Sequence, residues 1–549
     1  MKKQYGKHWI ALVISLSLLL SLLSGCGAGA KTGPGESNGS LKVIRVGLQA
    51  EPDTLDPSDC ADDGTSVLGL TTEALLRDVG GEVAPGLAES YDVEDDGKKY
   101  IFHLRDCNYS DGTPITAEDV VYTILRTLAP ENAKENASLL YHIKNAEAYN
   151  MGEASAEDVG VYAEDDKTLV IIGGSTLYPM IFTDHRVFIP LKQSVVESFG
   201  EAFGSEVEGF LSSGPYILKE WQHESEITMV RNDDYWDKDN IHLDEIHYMI
   251  NAFDGVAADM LKTQELDACD FRDMNIINGL LEDGDLADFP YESSLQYLLI
   301  NLGGSNEETA KWLGNLNFRK ALSAAIDREN LQKAVYPCDI VATRIMQPSK
   351  MAVSGEPYNS VYPYTGWDTK ANEEQAKAYL AKAIEEIGSN DIPTFSLLCY
   401  DSEANMEILS AFADMWEKVL GIKAEINAQP ISGMFELMYS GDFDFWKSGS
   451  PFGTVDWLEE FGVMFQSKTG APCFYEDPEF DRMFTAARTA STMEERQALA
   501  FELEKYICEN ALALCTTWQQ LHFIHRSELT GIICTADGYL NLAYADLAA

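Results

Sequence analysis

Residues 41–48 (LKVIRVGL) alternate apolar and polar positions, a two-residue period that is typical of a β-strand with one buried face. Further strands are predicted at residues 168–172, 216–221, 227–231, 241–250 and 295–302. Residues 116–128 instead repeat their apolar positions at helical spacing and begin with Thr116, a suitable N-cap. The Asp-, Gly- and Ser-rich stretch 55–66 predicts a loop.

The second half of the chain alternates predicted helices and strands. Helical spacing at 318–335 and 372–387 is followed by this order: strand 394–400, helix 403–420, strand 422–427, helix 432–439 and strand 443–446. Two further helices are expected to begin at Asp477-Pro478 and at the capping box that opens with Thr492. This alternation with short connections predicts an α/β lobe built on a layered sheet.

The N-terminal segment has the composition of a secretory signal. Three lysines precede an apolar run over residues 9–23. Residues 23–26 (LSGC) resemble the lipobox of bacterial lipoproteins, in which the cysteine carries the lipid. We therefore expect a signal peptide over residues 1–25, lipidation of Cys26, and a flexible Gly- and Ser-rich tether over residues 26–40. The mature protein would be anchored to the outer face of a bacterial cell membrane.

Composition narrows the class of partner. The 549 residues carry 40 Lys and Arg against 89 Asp and Glu, a formal charge of −49. Such an acidic chain is expected to repel nucleic acid and anionic lipid headgroups.

Beyond Cys26 there are nine widely spaced cysteines without a C-x-x-C pair, so buried free thiols fit better than a disulfide scaffold. One or two disulfides stay an open alternative.

The sequence lacks a recognisable catalytic or metal-binding constellation. Lys468-Thr469-Gly470 resembles a β-lactamase triplet, but the Ser-x-x-Lys motif that would accompany it is absent. His242 and His247 would point to opposite faces of one strand, which argues against a shared metal. Cys508 and Cys515 are expected as core residues of one helix. We expect no enzymatic activity, no cofactor and no bound metal.

Several separated segments resemble one protein family in order and spacing, from about residue 41 to residue 549. The segments are 85–91 (PGLAESY), 100–105 (YIFHLR), 110–120 (SDGTPITAEDV), 213–216 (SGPY) with Trp221, 231–236 (RNDDYW), 318–322 (FRKAL) and 325–328 (AIDR). This pattern is similar to family 5 of the bacterial extracellular solute-binding proteins, which serve ATP-driven importers of oligopeptides, dipeptides and nickel. Residues such as the 110–114 turn fix local architecture, so they identify the fold rather than the solute.

The resemblance implies an α/β, periplasmic-binding-protein-like fold of class II, cluster C, with two main lobes, a hinge and an extra domain. Domain I would comprise residues 41–72, 191–290 and 516–549, domain II residues 73–190, and domain III residues 291–515. The solute would lie between domains I and III, which would close around it. The permease subunits of an ABC importer would recognise the closed form.

The resemblance also suggests one wall of the site. In peptide-binding relatives an Asp after a Gly-rich stretch holds the peptide amine, and Asp456 is the matching residue. The stretch here is about three residues longer than usual, and no cationic residue precedes the segment 441–444, where peptide binders often have one. Further contacts with solute are expected from Trp446, Ser448, Gly449, Phe452 and Trp457. A capping role for Asp456 and core roles for the aromatic residues stay open.

The opposing wall would be the domain I loop 60–65. Its backbone could bond an extended peptide as a neighbouring strand would, which gives affinity without reading side chains. The expected contact residues are Asp62, Asp63, Gly64 and Thr65, and the two carboxylates would favour an amine-bearing solute.

These observations predict a monomeric, lipid-anchored extracytoplasmic receptor that captures short peptides by hinge closure and passes them to an ABC importer. The same role for a nickel chelate, an oligosaccharide or another solute is an open alternative. A surface receptor without a cognate importer is another.

Overall fold

The computed structural model describes residues 41–61, 63–250, 252–282, 284–450, 457–467, 476–536 and 538–548. The strands are β1 Val43–Gly47, β2 Leu76–Asp78, β3 Val83–Pro85, β4 Ala88–Glu94, β5 Lys99–Leu104, β6 Val161–Asp165, β7 Thr168–Ile172, β8 Tyr216–Gln222, β9 Glu226–Arg231, β10 Glu245–Met249, β11 Ala268–Phe271, β12 Leu286–Ile300, β13 Ile340–Val341, β14 Phe395–Tyr400, β15 Ala424–Gln429, β16 Phe445–Ser450, β17 Ala513–Arg526, β18 Leu529–Thr530, β19 Ile533–Cys534, β20 Leu540–Asn541 and β21 Asp546–Leu547. The α-helices are α1 Asp63–Thr71, α2 Ala117–Leu128, α3 Ala146–Asn150, α4 Gln193–Phe199, α5 Asp254–Lys262, α6 Met274–Leu281, α7 Glu307–Leu313, α8 Leu316–Ala324, α9 Arg328–Val335, α10 Tyr358–Val361, α11 Glu373–Ile387, α12 Glu403–Leu420, α13 Ile431–Ser440, α14 Trp457–Phe465, α15 Pro478–Arg488 and α16 Met493–Glu509.

One large sheet runs through the two main parts of the structure. Its strand order is β15-β14-β16-β12-β17-β11-β1-β10-β9-β8, and β13 also pairs with β17. We call the side with β1 and β8–β11 lobe A, and the side with β13–β16 and helices α7–α16 lobe B. Strands β12 and β17, of 15 and 14 residues, pair antiparallel and belong to both lobes.

Both lobes bury the two faces of their strands. In lobe A, β1 is parallel to β10 and β11; α1 and C-terminal residues cover one sheet face, and α5 and α6 cover the other. In lobe B, β14 is parallel to β15 and β16, with α8, α11 and α12 on one face and α14–α16 on the other. Helices on both faces are typical of sheets that contain parallel strands.

A third part, which we call the small domain, is built on the antiparallel sheet β4-β5-β7-β6. Helix α2 packs its apolar stripe on this sheet through residues such as Val120 and Ile124, which meet Phe102 and Leu169 in one core. Thr116 and Asp119 form the reciprocal capping box of α2, so the predicted N-cap is confirmed.

Several other predicted elements are confirmed to the residue or nearly so. Helix α12 occupies the predicted 403–420, and β7 occupies the predicted 168–172. Helix α11 ends where Gly388 adopts φ +73°, the left-handed conformation that glycine accepts at low cost. Among the described residues, no helix is long and apolar enough to cross a bilayer.

Some predictions were wrong in ways that the local chemistry explains. The helix expected at 318–335 is two helices, because Asp327 caps α9 by accepting a bond from the backbone N–H of Asn330. Cys508 lies in α16 but Cys515 lies in β17, so the two do not share a helix. The strand expected at 443–446 begins two residues later and extends to Ser450.

Six of the eight described cysteines are buried: Cys60, Cys269, Cys338, Cys399, Cys508 and Cys515. Burial raises the pKa of the Cys107 thiol, one of the two partly exposed ones, to about 11. Cys473 lies outside the described residues.

A buried charge network fastens the small domain to lobe A. The Asp56 carboxylate, 3% exposed, accepts bonds of 2.8 and 2.6 Å from the Arg126 guanidinium and one of 2.8 Å from Lys134 Nζ. Burial alone would raise the pKa of Asp56, but the two cations hold that pKa below its ordinary value. The network therefore stabilises the fold above about pH 4 and loses this contribution as acid protonates Asp56.

We predict that Asp56→Asn lowers the free energy of unfolding by about 3 kcal/mol at pH 7, because two cations lose their buried partner. The difference from wild type should shrink as the pH falls below about 4, because Asp56 of the unfolded wild-type chain takes up a proton there while folded Asp56 still resists protonation. Urea unfolding at pH 7 and pH 3.5 measures both values. Asp92→Asn, which removes an exposed carboxylate paired with His103, is the control and should change little. An Asp56→Asn effect that stays constant with pH would contradict the assignment.

Candidate functional site

The two shared strands, β12 and β17, are irregular where they pass between the lobes. Their pairing shifts register between Glu292 and Leu295 and again between Gln296 and Tyr297. Such β-bulges bend strands and increase local twist. The irregular segment lies where the two strands pass from lobe A to lobe B.

An ion pair joins the two lobes beside these bulges. Strand β11 pairs with the lobe A half of β17, and β13 pairs with its lobe B half. Arg272 directly follows β11 and Asp339 directly precedes β13, so the two residues meet over β17. Arg272 Nη2 donates to the carboxylate oxygens of Asp339 at 2.9 and 3.0 Å, and Thr517 Oγ1 donates to Asp339 Oδ2 at 2.9 Å. The Asp339 carboxylate is fully buried.

A second cation, Lys447, lies in β16 near this ion pair. The residue is 7% exposed, and its Nζ donates to Gln296 Oε1 at 2.7 Å and to the Ser448 carbonyl oxygen at 3.2 Å. Burial, and then the charge of Arg272, lower the pKa of Lys447 to about 8, while Asp339 acts in the opposite direction.

The cluster of Arg272, Lys447 and Asp339, which we call the cleft-base cluster, holds one more positive charge than negative at neutral pH. Neither oxygen that Lys447 binds carries a formal charge. Within the described part of the chain, the buried Nε of Arg272 also has no hydrogen-bond partner. A buried excess of positive charge with an unused donor is a ready site for an anionic group such as a carboxylate.

Gln296 links this cluster to the strands that join the lobes. Its Oε1 accepts from Lys447, and its Nε2 donates to Ser294 Oγ at 2.8 Å, while Ser294 Oγ donates to Gln519 Oε1 at 2.9 Å. Gly449, opposite Gln296 on β16, leaves room for this side chain: a Cβ there would lie 2.6 Å from Gln296 Nε2. A larger residue at position 449 would therefore displace the end of the Gln296 side chain.

A model of family 5 of the bacterial extracellular solute-binding proteins, its Middle part, matches residues 82–471 of the chain. The chain belongs to this family. Its relatives include the oligopeptide-binding protein OppA of Bacillus subtilis, 28% identical over 98% of this chain and 99% of that protein. The dipeptide-binding protein DppE of the same organism is 27% identical over 99% of each chain.

The family's fold is also evident in three dimensions. The substrate-binding domain of an oligopeptide ABC transporter from Bacillus anthracis superposes with a TM-score of 0.78 and 24% identity, covering 93% of this chain and 99% of that one. The periplasmic-binding-protein-like α/β fold expected from the sequence is therefore confirmed.

In this family member, β16 carries three of the residues expected to contact solute. Trp446, Ser448 and Gly449 lie on β16 with Lys447 between them. Trp446 is half-buried, packs against two apolar cores, and directs its indole N–H toward Met434 Sδ at 3.4 Å, so packing occupies much of its surface. Ser448 and Gly449 lie opposite Tyr297 and Gln296 of β12.

The remaining predicted residues of this wall fall outside the structural description. Phe452 and Asp456 are not among the described residues, and Trp457 is described only as the first residue of α14. Their contacts with solute stay predictions.

The opposing wall differs from the expected loop. Asp63, Gly64 and Thr65 form the first turn of α1, so their backbone is helical rather than extended. Asp63 Oδ2 accepts from the Ala50 N–H at 3.1 Å, and Gly64 is packed so closely that a Cβ would lie 2.5 Å from Cys60 Sγ. The expected loop is therefore helical from Asp63 onward, whereas contact of these three residues with solute stays a prediction. Asp62 lies outside the described residues.

The sequence reasoning missed the cleft-base cluster. A cation was expected before residues 441–444, whereas Lys447 lies three residues after that segment. The available signal was a lysine on the same strand face as the buried Phe445. Among the described residues, no three His, Cys, Asp or Glu side chains come together as possible metal ligands.

We predict that Gly449→Ala lowers the free energy of unfolding by about 1–2 kcal/mol, because the new methyl group displaces the Gln296 side chain from its bonds. Urea unfolding measures the loss. Adding Gln296→Ala should then cost little more, since the clash and the bonds involve the same side chain. The matched control is Gly433→Ala within α13, where a Cβ meets only ordinary contacts and should be neutral or slightly stabilising. Full additivity of Gly449→Ala and Gln296→Ala would contradict this account.

Proposed function

We propose that this protein captures short peptides between lobe A and lobe B and delivers them to an ABC importer. The observation that carries the proposal is the buried positive excess of the cleft-base cluster, located where the two lobes meet. A peptide supplies the missing anion through its terminal carboxylate. The relative OppA of Bacillus subtilis is named as an oligopeptide-binding protein, which supports the same class of solute.

In this proposal the three parts of the fold have separate roles. Domain I, residues 41–72, 191–290 and 516–549, and domain III, residues 291–515, are the closing lobes, and domain II, residues 73–190, moves with domain I. Closure bends the bulged segment of β12 and β17. A solute that touches both lobes favours closure by the difference between its affinities for the closed and open forms.

The peptide amine would bind Asp456, the residue that the resemblance to peptide-binding relatives suggests. The carboxylate would bind Lys447 and Arg272, so both charged ends of a short peptide would be matched. A peptide would leave the protein chemically unchanged, as expected of a solute-binding protein without catalytic activity. The lipid on Cys26 would keep the protein at the outer face of the membrane, near the permease subunits.

We predict that unmodified tri- to pentapeptides raise the melting temperature more than the same peptides with C-terminal amides, because the amide removes the charge that Lys447 would bind. Lys447→Met should weaken binding of the unmodified peptides at least tenfold and erase the preference over amides. Lys447→Arg should keep most of the preference because its charge is retained. Thermal shift and titration calorimetry measure these effects.

The matched control for Lys447→Met is Lys377→Met. Lys377 is an exposed lysine of α11 that pairs with Glu373 in the same helix. The Lys377→Met variant should leave peptide binding unchanged. Equal binding of free and amidated peptides by the wild type would reject the carboxylate role.

A further inference from the structure

The small domain and lobe B touch at Arg488, the last residue of α15, and at Ser491, whose carbonyl oxygen accepts from Thr176 Oγ1 at 3.5 Å. Arg488 Nη2 donates to the Tyr141 carbonyl oxygen at 3.3 Å, and Nη1 lies 3.6 Å from Glu147 Oε2. Tyr141 and Glu147 belong to the small domain. Tyr141 packs against the core of that domain, which includes residues of α2. The contact between Arg488 and Tyr141 joins residues 347 positions apart in the sequence.

The backbone of Arg488 is held in place from within lobe B. Arg496 Nη1, from α16, donates to the Arg488 carbonyl oxygen at 3.2 Å. The neighbouring Phe484 and Ala487 are buried in the core that α15 shares with α16 and the lobe B half of β12. Arg488 therefore moves with lobe B.

The small domain, in contrast, is fastened to lobe A. Besides the buried Asp56 network, Arg77 Nη1 donates to Asp237 Oδ2 at 3.0 Å, and the backbone N–H of Glu73 donates to Ser213 Oγ at 3.0 Å. These bonds are largely buried, whereas the Glu147 side chain at the Arg488 contact is half exposed. The contact at Arg488 is the weaker of the two attachments, and it should break first when the lobes separate.

We propose that Arg488 is a closure latch that sets solute affinity without touching the solute. Rotation of lobe B away from lobe A about β12 and β17 carries Arg488 away from Tyr141 and Glu147. The latch bonds therefore form in the closed arrangement and add to its population. Apparent affinity rises with the fraction of protein that is closed, so losing the latch weakens binding even though the site residues are unchanged.

The test compares Arg488→Ala with Arg482→Ala in the full mature chain. Arg482 lies on the same helix, is well exposed, and pairs only one turn away with Glu479 at 2.7 Å, so its loss controls for removing an arginine from α15. Small-angle scattering is measured on protein freed of solute by unfolding and refolding. Arg488→Ala should show a larger radius of gyration than wild type, and Arg482→Ala should not.

The second readout, peptide affinity, rests on the proposed function. With the unmodified peptide pool, Arg488→Ala should bind three- to tenfold more weakly than Arg482→Ala. Glu147→Ala should weaken binding in the same direction, and the double variant with Arg488→Ala should lose less than the sum.

The outcomes separate the latch from the proposed function. Equal radii of gyration for Arg488→Ala and Arg482→Ala would overturn the latch. A larger radius for Arg488→Ala, with no peptide binding by wild type or variants, would leave the latch supported and reject the peptide role instead.

Discussion

The packing of buried Lys447 and partly exposed Arg272 against one buried carboxylate, where β12 and β17 join the lobes, is the constraint on which the rest of the site depends. Removing Lys447 and Arg272 from water is costly, and Asp339 neutralises only one of them. Burial first, and then the charge of Arg272, lower the pKa of Lys447. Binding of an anionic group would offset the excess positive charge. The cluster would therefore be more stable with solute bound than without it.

The sheet topology makes this arrangement possible. Arg272 and Asp339 come from strands that pair with opposite halves of β17, so each lobe contributes one side of the ion pair. Lys447 comes from β16 and reaches Gln296 on β12, which ties the cation to the irregular strand segment. A change at the charged cluster would therefore act directly on the strands that join the lobes.

The architecture of the chain could be predicted largely from local patterns. The capping box at Thr116 and the bounds of α12, residues 403–420, depend on neighbours within a few residues, and both are found in the structure. The candidate site is different. Arg272 and Asp339 are 67 positions apart and meet only through their shared pairing with β17, which no local pattern specifies. Helix α1 was missed because Asp, Gly and Ser favour turns as well as helix starts.

The central claim is that the solute carries a carboxylate that completes the cleft-base cluster. Native mass spectrometry of the freshly purified, mature protein, followed by identification of any released compound, tests this most directly. The account predicts short peptides with a free C-terminal carboxylate. Recovery of a neutral sugar, or of another solute without a carboxylate, as the bound compound would contradict it.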